Sequence, residues 1–395
     1  MGSQVYRFKG QNLLKARDLI IRVTYRFPAG TDLAKLARMV AVGQSAGTWS
    51  PKYEDRKDRL SGHMAEIIDL VPHESGGGLA VIDYPVSNCP DSTGSLLTAI
   101  MGKYSMAIPM KVIDLVLPEG YGVPPAFGID GIRRSLGVFD RPLLMAIFKP
   151  SLGLTASEHG EIFREAAFSG IDLMKDDEIL PDIPECSALD RLTTVRTVVD
   201  EIWRTQKRRV LYAVNLSGRA DEILRKARVL VSEGANALLL NVLSYGYPVL
   251  EALAADPLVN VPIFCHPALS GVFTGPSDHG FSSRVVLGTL MAHAGGDAVL
   301  FPTRFGNFPV SPEEESDLVD TLHRSSVFPV PSGGVTPLSV LPLCQTYGKE
   351  IIINAGTAIM DHPEGVSAGV GAFVTALSDA GWKQESALPF QKRGD

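Results

Sequence analysis

Lys175-Asp176-Asp177-Glu178 sets one ammonium beside three carboxylates at the end of the apolar run GIDLM. Charge taken into an apolar setting needs compensation, and carboxylate oxygens suit a hard divalent cation such as magnesium. Side chains alternate along a strand, so Lys175 and Asp177 share a face. Glu178 joins them only if the strand stops there and the chain turns. An ammonium cannot ligate magnesium, but carbon dioxide converts a neutral lysine amine into a carbamate, and burial enlarges the neutral fraction. The alternative is a salt-bridged Lys/Asp cluster below the loops. The local sequence leaves both readings open.

Other chemistry-bearing residues sit in similar settings. Lys149 closes the apolar run of RPLLMAIFKPS, where an ammonium can stabilise an enolate or contact a phosphate. His266, in IFCHPALSGVF, can polarise a substrate oxygen or move a proton, or be a histidine hydrogen-bonded within its surroundings. His362, in MDHPEG, is expected to be structural. Ser332-Gly333-Gly334 and Asn354-Ala355-Gly356-Thr357 each follow a short apolar run, and glycines there leave backbone N–H groups free to hold an anion.

These residues need elements to position them. From Arg141 onward the runs RPLLMAIFKPS, GIDLMKDDEIL, RVLYAVNLSG, ANALLLNVLSYG, VPIFCHPALSG, GDAVLFPTRFG, VFPVPSGGV and IIINAGTAIMDHP recur every roughly 25 to 40 residues. Amphipathic stretches such as RADEILRKARVLVSEG separate them. Eight such units predict a (β/α)8 TIM barrel, with an open doubly wound sheet as the alternative. Lys149, Lys175, Asn215, His266, Arg304, Ser332 and Asn354 all fall at or just beyond the C-terminal end of a predicted strand, the rim where barrel enzymes build active sites. The loops after the seventh and eighth strands, which hold Ser332–Gly334 and Gly356–Thr357, are the usual phosphate positions in such barrels. Residues 1–125 differ: IIRVTYRFP and GGLAVIDYPVS read as strands, TDLAKLARMVAVGQ and STGSLLTAIMGKYSM as helices. This predicts an α/β protein with an N-terminal α+β (ferredoxin-like) domain at 1–125 and the barrel at 126–395, joined by LPEGYGVPPAFG.

Composition narrows the classes. The 395 residues are 45% hydrophobic and 21% charged, with a net charge of −7 and no long basic run, so neither nucleic acid nor membrane is an expected partner. No apolar run reaches the roughly 18 residues of a membrane helix. The first residues lack the apolar core of a secretion signal, and Gly2 fits only a short myristoylation pattern. Cys89, Cys186, Cys265 and Cys344 have neither zinc spacing nor a compact disulfide pattern. Reduced thiols in a cytoplasmic enzyme are expected.

With these residues assembled, the chain resembles the RuBisCO superfamily, specifically its RuBisCO-like proteins, over nearly its whole length. GIDLMKDDE is the most specific segment. The resemblance implies a carbamylated Lys175 binding magnesium with Asp177 and Glu178. It also implies a homodimer, open to higher assembly, whose active sites are shared, with Thr48 and Trp49 of one subunit closing over the barrel of the other. RPLLMAIFK, KDDEI, LYAVNLSGR, HPALSG, LFP and TAIMGKYSM are similar to segments of the 2,3-diketo-5-methylthiopentyl-1-phosphate enolases of methionine salvage. That similarity implies Lys103 as the proton-abstracting base, a position otherwise read as a helix-surface lysine.

Departures from true RuBisCO are chemical. GGDAVLFPTRFGNFPVS has no lysine where carboxylation needs one, Pro267 stands where an arginine holds a second phosphate, and VGQSAGTWS lacks an N-terminal glutamate. Carbon fixation is therefore not expected. FKPSLGLT and NAGTAIMDHP depart from the enolases, at positions where substrate contacts are expected. The leading expectation is magnesium-dependent enolisation of a phosphorylated diketone or keto-sugar. Lys103 is the base, Lys149 and His266 assist, and Ser332, Gly333, Gly334, Gly356 and Thr357 hold phosphate. Two alternatives stand: a decarboxylase or transcarboxylase/hydrolase of a β-keto acid-sugar phosphate, and a non-catalytic binding or sensor protein.

Overall fold

The computed structural model describes residues 19–90 and 92–382, so Gly2 lies outside it. These residues sort into two compact units. The first holds the chain up to Pro124 with Gly246–Glu251 and Leu269–Ala294, and the second holds Pro125–Tyr245, Ala252–Ala268 and the chain from Gly295 onward. One boundary near residue 125 therefore does not describe the division, because two later segments sort with the first unit.

In the first unit, β1 (Ile20–Phe27), β2 (Glu66–Pro72), β3 (Gly78–Pro85) and β4 (Lys111–Val116) pair antiparallel in the order β4-β1-β3-β2. This is the ferredoxin-like arrangement. In β1, Ile21, Val23, Tyr25 and Phe27 are buried in strict alternation, as one covered sheet face requires. Helix Leu33–Gly43 buries Leu33, Ala37, Val40 and Ala41 at helical spacing, and the Asp32 side chain caps it at the Lys35 N–H. The two-residue strand β10 (Gly280–Phe281) explains why Leu269–Ala294 joins this unit. It pairs parallel to β4, and Lys111 Nζ donates to the carbonyls of Thr274 (2.8 Å) and Pro276 (2.6 Å).

The second unit is the barrel. Its parallel strands are β5 (Leu143–Ile147), β6 (Leu173–Lys175), β7 (Leu211–Leu216), β8 (Ala237–Leu240), β9 (Ile263–Cys265), β11 (Ala298–Pro302), β12 (Phe328–Ser332) and β13 (Ile352–Ala355). All eight apolar runs form strands, in the order β12-β11-β9-β8-β7-β6-β5-β13. The outermost strands β12 and β13 share no hydrogen-bonded ladder; Asn354 Nδ2 donates to Ser332 Oγ at 2.9 Å between their C-terminal ends. Met145, Leu173, Leu211, Ala213, Leu239, Phe264, Leu300 and Val330 form one buried core across the barrel. Burial of each large apolar side chain stabilises by roughly 1.5–3 kcal/mol.

Near the start of the barrel strands, ion pairs and backbone clamps fix the register. Arg141 holds Asp172 through two hydrogen bonds of 2.6 and 2.8 Å, and Asp172 also accepts the Leu144 N–H. Asp297 accepts the N–H groups of Phe127, Gly128 and Ile263, although burial raises its carboxyl pKa. Helix Ala156–Phe168 starts in a capping box between Thr155 and Glu158. Among the described residues no helix is long and apolar enough to cross a membrane, and all four cysteines are buried.

Candidate active site

β6 ends at Lys175, and the turn that follows brings Glu178 back beside it. Lys175 has no exposed surface, and its Nζ lies 3.0 Å from the Asp176 carbonyl and 3.5 Å from Glu178 Oε2. Burial lowers its pKa against the opposing pull of Glu178 and Asp177, which favours the neutral amine. Asp177 accepts from Lys149 Nζ at 2.5 Å and from the Ile179 N–H at 3.1 Å. Its burial would raise the carboxyl pKa, but the Lys149 ammonium and that N–H outweigh burial and hold it below the usual range. Lys149 Nζ is also 2.9 Å from Ser151 Oγ.

His266 follows β9 with Nε2 3.3 Å from Glu178 Oε2. Its Nδ1 accepts the Ala268 N–H at 3.2 Å, so the proton of the neutral ring sits on Nε2 and points at the carboxylate. Burial, then the Lys175 charge, pushes the His266 pKa well below 6.5, so the ring is neutral at physiological pH. Lys149, Lys175, Asp177, Glu178 and His266 thus meet at one rim of the barrel.

Asp176 is withdrawn from this group. Its side chain has no exposed surface and is held by Arg191 Nη2 (3.0 Å), Tyr212 OH (2.5 Å) and the Asn215 N–H (2.9 Å). The third carboxylate of the motif is therefore structural. Among the described residues no three His, Cys, Asp or Glu side chains are arranged to hold a metal. Asp177 and Glu178 supply two oxygen donors, and Lys175 beside them would supply a third if its amine carried a carboxylate. The donor set fits a hard cation on that condition.

Ser332 ends β12, and Gly333 and Gly334 follow it. Gly333 and Gly334 have φ of +89° and +85°, a backbone conformation that glycine adopts without strain. The loop after β11 braces them: the Asn307 N–H donates to the Gly333 carbonyl at 2.8 Å and the Thr303 N–H to the Ser332 carbonyl at 3.0 Å. That brace hangs on buried Glu315, which accepts from Thr303 Oγ1 (2.6 Å) and the Arg304 N–H (2.8 Å). Arg304 turns its guanidinium over the Phe305 ring, 4.7 Å from the centroid. Gly356 and Thr357 follow β13, and a Cβ on Gly356 would lie 3.7 Å from Lys149 Cε. The Gly356 loop and Lys149 are neighbours.

Lys103, Thr48 and Trp49 lie in the first unit. Lys103 opens the 3-10 turn Lys103–Met106 and is exposed, with Nζ 5.4 Å from the centroid of the Tyr104 ring. Thr48 and Trp49 line a groove of about 730 Å³ with Lys35, Arg38 and Tyr104. His362 Nδ1 accepts the Glu364 N–H at 3.2 Å within its own loop. Sequence reasoning missed Ser151, Asn241 and Arg191; only Arg191, a charged residue on an apolar helix face, carried a signal of burial.

Two family profiles match the chain: the ribulose bisphosphate carboxylase large chain N-terminal domain over residues 9–121 and its catalytic domain over residues 128–313. A Microcystis aeruginosa protein named 2,3-diketo-5-methylthiopentyl-1-phosphate enolase is 51% identical over 360 residues, which are 91% of this chain and 93% of that one. The protein of that name from Exiguobacterium sibiricum is 37% identical over 91% of this chain and 92% of its own. A solved rubisco-like protein (MtnW) from Alicyclobacillus acidocaldarius superposes with a TM-score of 0.85 at 37% identity, covering 92% of this chain and 94% of that chain. The octameric Rubisco of Pyrococcus horikoshii superposes at 0.84 with 28% identity, over 92% and 90%. The chain belongs to the RuBisCO large-chain family, among its rubisco-like members.

Proposed function

We propose that this protein is a magnesium-dependent enolase of 2,3-diketo-5-methylthiopentyl-1-phosphate that does not fix carbon dioxide. The observation that carries the reading is the meeting of Lys149, Lys175, Asp177, Glu178 and His266 at one barrel rim. It gains support from the relatives named for this activity and from the lack of a lysine in the loop after β11.

Lys175 as a carbamate, Asp177 and Glu178 would hold the metal, which when bound supplies Lewis acidity to a carbonyl oxygen. Enolisation breaks a C–H bond beside that carbonyl; the proton goes to a base and the electron pair moves onto the oxygen. Lys149 places an ammonium where negative charge develops, and His266 offers a neutral N–H from Nε2. The N–H groups of Gly333, Gly334, Gly356 and Thr357, with Ser332, would hold the phosphate. Lys103 is the proposed base. In the single chain it is solvated, so a homodimer in which a second subunit covers it, with Thr48 and Trp49 closing the site, belongs to this reading.

The test is exchange of the substrate α-proton for deuterium. Wild-type protein with magnesium and bicarbonate should exchange, Lys175→Ala should not, and Lys103→Ala should lose roughly 10²–10⁴-fold. Turnover of a β-keto acid phosphate by Lys103→Ala, without exchange into the diketone by wild type, would replace enolisation with decarboxylation.

A further inference from the structure

The Glu178 carbonyl receives two side-chain amides from two different strand ends. Asn215, within β7, donates from Nδ2 at 3.3 Å; Asn241, directly after β8, donates from Nδ2 at 2.9 Å. Asn215 Nδ2 also reaches the Leu180 carbonyl at 2.9 Å, and its backbone N–H reaches Asp176 Oδ2. The turn from Asp176 to Leu180 is therefore tied at three successive places to the neighbouring strands. A carbonyl can only accept, so both amides must aim their nitrogens at it. The amide oxygens consequently face elsewhere. Both Oδ1 atoms are buried and have no hydrogen-bond partner. An unpaired buried acceptor is costly, and two at adjacent strand ends are more than holding the barrel together requires.

Asn236 shows how this fold makes a purely structural clamp. It spans the start of β7 with Oδ1 accepting the Tyr212 N–H at 2.8 Å and Nδ2 donating to the Val210 carbonyl at 2.9 Å. Both ends of that amide are used. Asn215 and Asn241 both donate to one backbone atom of Glu178, Asn215 also to the Leu180 carbonyl, while the Glu178 carboxylate lies beside Lys175 and His266.

We infer that Asn215 and Asn241 are positioning residues: they lock the backbone of Glu178 so that its carboxylate is presented beside Lys175 to a divalent cation. This rests on the reading of Lys175, Asp177 and Glu178 as the metal donors. It goes beyond that reading in assigning the order of the site to two amides that touch neither metal nor substrate.

The test compares Asn241→Leu, Asn241→Ala and Asn215→Ala with wild type and with Asn236→Ala as the structural control. Mn²⁺ binding is read by electron paramagnetic resonance, and the Lys175 carbamate by ¹³C NMR in labelled bicarbonate. Each site variant should bind Mn²⁺ about 10- to 100-fold more weakly and show a diminished carbamate signal. Asn236→Ala should lower the unfolding midpoint and leave Mn²⁺ affinity unchanged. Wild-type affinity in folded Asn241→Leu or Asn241→Ala overturns the inference while the enolase reading stands. Absence of deuterium exchange by a wild-type protein that binds Mn²⁺ overturns the enolase reading and leaves the inference to the binding comparison. A wild-type protein that binds no metal overturns both.

Discussion

Asp176 and Asp177 are chemically identical and adjacent, yet they have opposite uses. The turn after β6 sends Asp177 toward Lys149 and Asp176 to Arg191 and Tyr212. The Arg191–Asp176 pair has no exposed surface on either side chain. Burial works against the guanidinium charge, but Asp176 and Tyr212 outweigh it and raise the Arg191 pKa. Breaking one side of such a pair leaves a buried charge without compensation, which costs about 3–5 kcal/mol. Arg191→Met should therefore lower the free energy of unfolding in urea by that amount, and an unchanged midpoint would show the pair to be dispensable. At this scale the sequence showed that Lys175 and Asp177 share a face and that Glu178 needs a turn. It could not show which carboxylate Arg191 would claim, because that residue arrives from a helix 15 positions along the chain.

At the scale of elements, short strands end early enough for loops to build the rim. β6 has three residues, and its brevity lets Glu178 return to Lys175. The loop after β12 depends on the loop after β11, where Gly306 packs against the Gly333 backbone: a Cβ there would meet the Gly333 carbonyl oxygen at 2.0 Å. Backbone cannot yield as a side chain can. Gly306→Ala should displace Ser332–Gly334 and raise the KM for a phosphorylated substrate about tenfold, a change of about 1.4 kcal/mol. Mn²⁺ affinity should hold, since the proposed metal donors come from the end of β6. A weakened metal site with unchanged KM would contradict the division of labour between the two halves of the rim. The glycines after β12 and β13 were legible in the sequence, but the brace from Thr303, Asn307 and Glu315 was not.

At the scale of the whole molecule, stability should depend on pH through buried imidazoles. His159 in the second unit and His293 in the first both have pKa values lowered by burial, partly offset by hydrogen bonds to the carbonyls of Thr155 and Tyr121. Each folded-state pKa lies below the unfolded value of 6.5, so the unfolded chain binds more protons as pH falls. Their contribution is complete above pH 6.5 and is lost as pH drops through the depressed values. Denaturation midpoints at pH 7.5 and 5.5 should show this loss, and His159→Gln should flatten the dependence; a variant with the wild-type slope would remove His159 as its source. The sequence alone determined the eight strands, the polar rim at their ends and the KDDE cluster, because apolar periodicity and strand alternation are properties of neighbouring residues. Only the tertiary structure decided that Asp176 is withdrawn by Arg191 and Tyr212, that Asn215 and Asn241 converge on Glu178, and that Leu269–Ala294 joins the N-terminal sheet. Those outcomes depend on which distant residues barrel closure and sheet pairing bring within hydrogen-bonding reach, and no local pattern encodes that.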